Sequence, residues 1–185
     1  MKKKVIYSII IVSVIIILSV AVTYAVYTFS GVVNISGTSE CFDVNYVKGQ
    51  DIGSDSNPAN FVLASTYTEG LSSVIKVNLK DTCTITNGTG TLYLNTDTSV
   101  TSSTLLSGKL LKYQVLDGTT SVGSGVVSSA ENIEIYKDIP ITTTVKTITV
   151  YIWLDGNLVT EQNQNEILSS VYKGHLSMDI KSGDK

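Results

Sequence analysis

The chain has no arginine, one histidine, two prolines, two cysteines and one tryptophan, and it carries no charged residue between Lys4 and Glu40. Without the guanidinium fork, bidentate recognition of phosphate or carboxylate loses its usual tool, since all 13 cationic residues are lysine. With a net charge of −3 and its charges thinly spread, the chain offers no basic face to nucleic acid. His175 cannot by itself supply the paired histidines of a His-Glu-x-x-His zinc site. A Ser-His-Asp site would have to be built on His175, yet the chain has no Gly-x-Ser-x-Gly elbow and the histidine falls on the polar face of a strand. Walker loops, dinucleotide fingerprints and Cys-x-x-Cys pairs are missing as well, so no cofactor is expected. These gaps argue against an enzyme, including a cell-wall-acting hydrolase, for which spacing identifies no paired-carboxylate or histidine constellation.

The uncharged N-terminal stretch points to a compartment. Residues 5–26 are almost wholly apolar and would make a helix roughly 33 Å long, enough for a hydrocarbon core of about 30 Å. Lys2, Lys3 and Lys4 then stay on the cytoplasmic side and everything after Tyr27 is exported. The bilayer is thus the first expected partner, through residues 1–27. Two fates remain open. The segment is either a permanent signal anchor, or a signal peptide cut after Ala25, because Thr23 and Ala25 supply small residues at the −3 and −1 positions. The protein is accordingly expected in the cell membrane with an extracellular C-terminal domain, or secreted.

Residues 28–185 suffice for one domain with a real core. Cys41 and Cys83 both fall in this exported part and are expected to form a disulfide, which would stabilise it by roughly 3–4 kcal/mol in the chain-entropy description. The composition is rich in Val, Ile, Thr, Ser, Gly, Asn and Tyr, and period-two alternation dominates. It predicts half-buried strands over 41–47, 73–80, 110–116 and 172–181. Further strands are expected over 31–36, 89–95, 125–127, 132–136 and 145–154. Asn87-Gly88, Asp117-Gly118 and Asp155-Gly156 mark turns, and 96–107 and 160–166 read as loops. About nine short strands with no recurrent helical pattern predict an all-β fold, an antiparallel β-sandwich of jelly-roll or Ig-like kind. Trp153, on the strand 145–154, is expected to plug the core. Asp51, Asp55 and Asn57 lie close together in a loop and are read as turn-capping residues rather than as a calcium site.

Several stretches carry a resemblance: Thr23-Tyr24-Ala25, Phe42-x-Val44-x-Tyr46-x-x-Gly49-x-Asp51-Ile52, Leu111-Lys112-Tyr113-x-Val115 and Tyr151-Ile152-Trp153-Leu154-Asp155-Gly156-Asn157. Together they resemble a group of membrane-anchored surface proteins of low-GC Gram-positive bacteria. More distantly, the order of apolar helix, Thr-aromatic-Ala and all-β domain is similar to the TasA/camelysin biofilm-fibre subunits. The first resemblance implies an N-terminally anchored surface protein with a structural or adhesive ectodomain that contacts itself, the cell wall or a host surface. The second implies a secreted fibre subunit, cut near Ala25 and assembling through its N-terminal arm. Camelysin is often classed as a metallopeptidase, which a chain with one histidine does not support. Neither resemblance carries a catalytic residue over.

Overall fold

The structure, a computed structural model, describes residues 33–36, 43–49, 51–53, 59–60, 63–82, 84–130, 132–167 and 170–183. The expected membrane segment at 1–27, the cleavage residues Thr23 and Ala25, and both Cys41 and Cys83 lie outside them. Among the described residues no helix is long and apolar enough to cross a membrane.

The strands in chain order are β1 (Val33–Ser36), β2 (Val44–Val47), β3 (Ala59–Asn60), β4 (Leu63–Ala64), β5 (Leu71–Leu79), β6 (Asn87–Thr96), β7 (Leu111–Asp117), β8 (Thr120–Val126), β9 (Asn132–Thr142), β10 (Lys146–Asp155), β11 (Val171–Tyr172) and β12 (Gly174–Ser182). Sheet 1 has the order β1-β12-β6-β9 and sheet 2 the order β2-β5-β10-β7-β8, with β4 beside the end of β10 and a small β11-β3 pair apart. Among the described strands all pairings are antiparallel except β1 with β12 and β4 with β10. From β5 onward the main strands alternate between the sheets, save for the β7–β8 hairpin, whose Asp117-Gly118 turn takes the left-handed φ of +61° at Gly118. The described residues therefore form an all-β, mostly antiparallel fold.

Alternation decides which faces meet. In β5, Ile75, Val77 and Leu79 are buried; in β7, Leu111, Tyr113 and Val115; in β12, Leu176, Met178 and Ile180. These side chains join Leu92 and Leu94 of β6, Ile139 and Ile141 of β9, and Ile148, Val150 and Ile152 of β10 in one core between the sheets. Each such residue contributes about 1.5–3 kcal/mol by leaving water. Tyr172 is fully buried with them, its hydroxyl 3.3 Å from Thr96 Oγ1.

Several elements extend or replace the sequence expectations. The strand expected over 132–136 runs on to Thr142, past Asp138 and Pro140. It does so through a bulge: Gly90 pairs with Ile139 and Leu92 with Tyr136, leaving Lys137 and Asp138 opposite Thr91, and Asp138 takes a φ of 54°. Pro140 is tolerated because β9 is an edge strand. The strand expected over 125–127 is the end of the longer β8. Within the expected loops lie two short helices, α1 (Ser103–Ser107), which puts Leu105 and Leu106 into the core, and α2 (Gln164–Ile167).

Candidate functional site: the outer face of sheet 2

In β10 the buried set is Ile148, Val150, Ile152 and Leu154, so Thr147, Thr149, Tyr151 and Trp153 face out of the sandwich. Trp153 is thus not the core plug that its size led the sequence reading to expect. Four aliphatic residues of opposite parity hold the inward side, and an indole on a solvent face is the consequence. Trp153 is only half-exposed, because a neighbouring segment folds over it. Gly70 lies beside Trp153 at the start of β5, where a methyl group would come within 2.7 Å of Trp153 Cβ and 2.5 Å of the Ile152 carbonyl oxygen, so glycine is required by the close approach. Just before it, Tyr67–Glu69 form a 3-10 turn, held by the Ser65 N–H donating to Glu69 Oε2 at 2.8 Å. That turn brings the Tyr67 ring 5.2 Å from Tyr151 and 6.4 Å from Trp153, at interplanar angles of 65° and 57°. The result is a half-exposed aromatic corner.

Polar side chains fix its borders. Lys112 faces Trp153 across the β7–β10 ladder and donates to Asp155 Oδ2, while the Asn157 backbone N–H and Nδ2 donate to Asp155 Oδ1, each at 3.0 Å. Lys112 first, and then the Asn157 donors against the opposing cost of burial, holds the Asp155 carboxyl below its ordinary range. Gln114, opposite Tyr151, donates Nε2 to Ser121 Oγ at 2.6 Å and to the Gly123 carbonyl at 3.0 Å. Further along the same face come Val74 of β5 beside Thr149 of β10, then Lys76 beside Thr147. Val74 is 43% exposed and Val47 of β2, opposite Lys76, 59%, so the apolar character of the face continues to its edge.

The outer face of sheet 1 differs in kind. On β12 it presents His175, Ser177, Asp179 and Lys181, with Glu134 of β9 across from Tyr93 of β6. Charge is dense there and sparse on sheet 2, where described strand residues contribute lysines and no free carboxylate. A face with little charge and half-exposed aromatic rings is cheap to desolvate.

The other residues singled out from sequence do not converge on this corner. His175 is on the outward face of β12 as expected, but it is half-buried rather than freely solvated, and that burial lowers its pKa. Asp51 pairs with Lys48 at 2.7 Å, while Asp55 and Asn57 lie outside the described residues. Among the described residues no group of three or more His, Cys, Asp and Glu side chains is placed to hold a metal ion. Asp97 accepts from Lys173 Nζ at 2.8 Å and from Ser99, contacts that push its pKa down to about 2, with Lys173 the larger cause. Tyr67 was missed by sequence reasoning altogether, because it sits in a turn with no periodic signal.

No protein-family model matches the chain, and no curated protein does. Solved structures overlay it only loosely, two of them as follows. One is an acetyl xylan esterase from the rumen bacterium Butyrivibrio proteoclasticus, 12% identical, with a TM-score of 0.33 over 77% of this chain; the chain spans 34% of the esterase. The other is a PA14 sugar-binding domain from an RTX adhesin, 10% identical, with a TM-score of 0.29 over 76% of this chain and 71% of that domain. Superpositions this loose bring neither protein's activity nor its ligand to this chain.

Proposed function

We propose that this chain is an N-terminally anchored bacterial surface protein whose sandwich, of jelly-roll rather than Ig-like connectivity, is a non-catalytic structural or adhesive module. The observation that carries the adhesive reading is the half-exposed corner of Tyr67, Tyr151 and Trp153 on the outer face of sheet 2. Aromatic rings with polar neighbours are what recognition surfaces concentrate at their centres. The jelly-roll assignment rests on the order β1-β12-β6-β9 over β5-β10-β7-β8, in which successive strands alternate between sheets apart from the β7–β8 hairpin. The surface location rests on the uncharged run at 5–26 behind Lys2, Lys3 and Lys4, and on the resemblance to anchored surface proteins.

Two measurements test the reading. Fractionation of the native cells with N-terminal sequencing should find the protein in the membrane or envelope, beginning at Met1 if anchored or at Val26 if cut. Cells displaying a Tyr151→Ser/Trp153→Ser variant at the parent's surface level should adhere less to their own wall material. Undiminished adhesion, or a cytoplasmic protein, would overturn it.

A further inference from the structure

Away from the aromatic corner, at one end of the sandwich, a groove of about 450 Å³ opens between the β7–β8 turn and the loop joining β9 to β10. Its polar wall is an ion pair: Lys146 Nζ donates to Asp117 Oδ2 at 2.7 Å, and the Tyr136 hydroxyl donates to the same oxygen at 3.2 Å. Asp117 Oδ1 takes no hydrogen bond from any described residue. The opposite wall is apolar, made by Pro140 and by Val145, which is 56% exposed. Thr142, Thr144 and Thr147 complete the lining, and Gly118 leaves its turn side open, with no atom within 4 Å of where a Cβ would sit.

We infer that this groove is a binding site for one ring of a neutral, polyhydroxylated ligand, a sugar unit. The ion pair is electrically balanced, so an anionic ligand meets Asp117 and a cationic one meets Lys146, each a like charge at close range. A wholly apolar ligand would strip water from both charges without replacing its hydrogen bonds. A neutral ring bearing hydroxyls avoids these costs. Its hydroxyls donate to Asp117 Oδ1 and accept from the ammonium protons that Asp117 leaves unused, and its C–H face lies on Pro140 and Val145. The volume falls within the range of about 300–1,000 Å³ usual for small-ligand sites. This site goes beyond the adhesive reading and does not depend on the aromatic corner.

The test is saturation-transfer NMR on the full-length protein in detergent micelles, with the methyl glycosides of glucose, galactose, mannose and N-acetylglucosamine as probes. Saturation should pass to the ring C–H protons of at least one of them. Asp117→Asn should weaken that binding by about tenfold or more, the scale of a hydrogen bond to a charged acceptor. Val145→Glu, a change at an exposed site that leaves the core intact, should abolish it by placing a carboxylate over the apolar wall. Transfer to none of the four probes, or transfer equal in parent and Val145→Glu, would overturn the inference. So would transfer lost in Trp153→Ser but retained in Val145→Glu, which would put the sugar on the aromatic corner instead.

Discussion

The Tyr67 ring meets the Tyr151 ring at 5.2 Å and 65°, edge to face, and in doing so pins a 3-10 turn onto the outer side of β10. Such a pair is worth about 0.5–1.5 kcal/mol beyond the area it covers. It also keeps the indole of Trp153 from full exposure without taking it into the core. The corner is thus held in place by its own packing, which would lower the entropic cost of the proposed contact.

Trp153→Ala should destabilise the domain by about 1–2 kcal/mol in urea melts, below the about 3–5 kcal/mol that follows emptying a fully buried aromatic site. The indole lies outside the sandwich and removing it opens no cavity between the sheets. A loss in the higher range would mean that the outer corner acts as a second core.

Gly174→Ala should cost about 1–3 kcal/mol, the usual penalty for overfilling a packed interior. An added methyl would collide with the Tyr172 hydroxyl and stand 2.9 Å from the Asn95 carbonyl oxygen. Adding Tyr172→Phe removes the nearer of the two clashing Tyr172 atoms and leaves the ring carbon Cζ at 2.8 Å, so the double variant should be partly relieved, less damaged than the sum of the singles in a thermodynamic cycle. Strict additivity would contradict the collision.

How much of this was legible beforehand depended on parity and on local signals. The inward faces of β5, β7 and β12 were readable because each alternates aliphatic with polar residues. β10 misled because both of its faces are hydrophobic enough to serve: the bulk of Trp153 drew attention away from the uniform Ile148, Val150, Ile152 and Leu154. β9 was cut short because Asp138 and Pro140 are strand breakers in isolation, and only the bulge opposite Thr91 and the edge position accommodate them. The corner itself was illegible, since Tyr67 reaches β10 through a turn. The groove at Asp117 joins residues from two loops that no sequence period connects.

Acid should unfold the domain partly through Asp97. Its carboxyl is held at about 2, below the ordinary 3.8, so its contribution is complete above about pH 4 and is lost as pH falls towards 2. Asp97→Asn should flatten the slope of stability against pH in that window. An unchanged slope would show that Lys173 does not stabilise the carboxylate in solution.

Alkali acts through buried tyrosines. Burial raises Tyr46 and Tyr172 to about 12, with Asp51 adding to the rise at Tyr46. A raised phenol favours the neutral folded form, so this stability is complete below about pH 10 and lost as pH climbs from there to about 12. The Tyr46 hydroxyl is buried with no hydrogen-bond partner among the described residues. Tyr46→Phe should therefore be neutral or stabilising at pH 7 and should reduce the alkaline loss. Marked destabilisation at pH 7 would reveal a partner for that hydroxyl.

Because Trp153 is the only tryptophan in the chain, its emission reports on the outer face of sheet 2 alone. The most direct test of that face as a contact surface is to titrate the full-length protein in micelles with solubilised wall polysaccharide while recording Trp153 emission and its quenching by acrylamide. The proposed contact predicts a saturable change in emission and a fall in quencher access. Co-sedimentation of the protein with intact walls while both signals stay constant would contradict it.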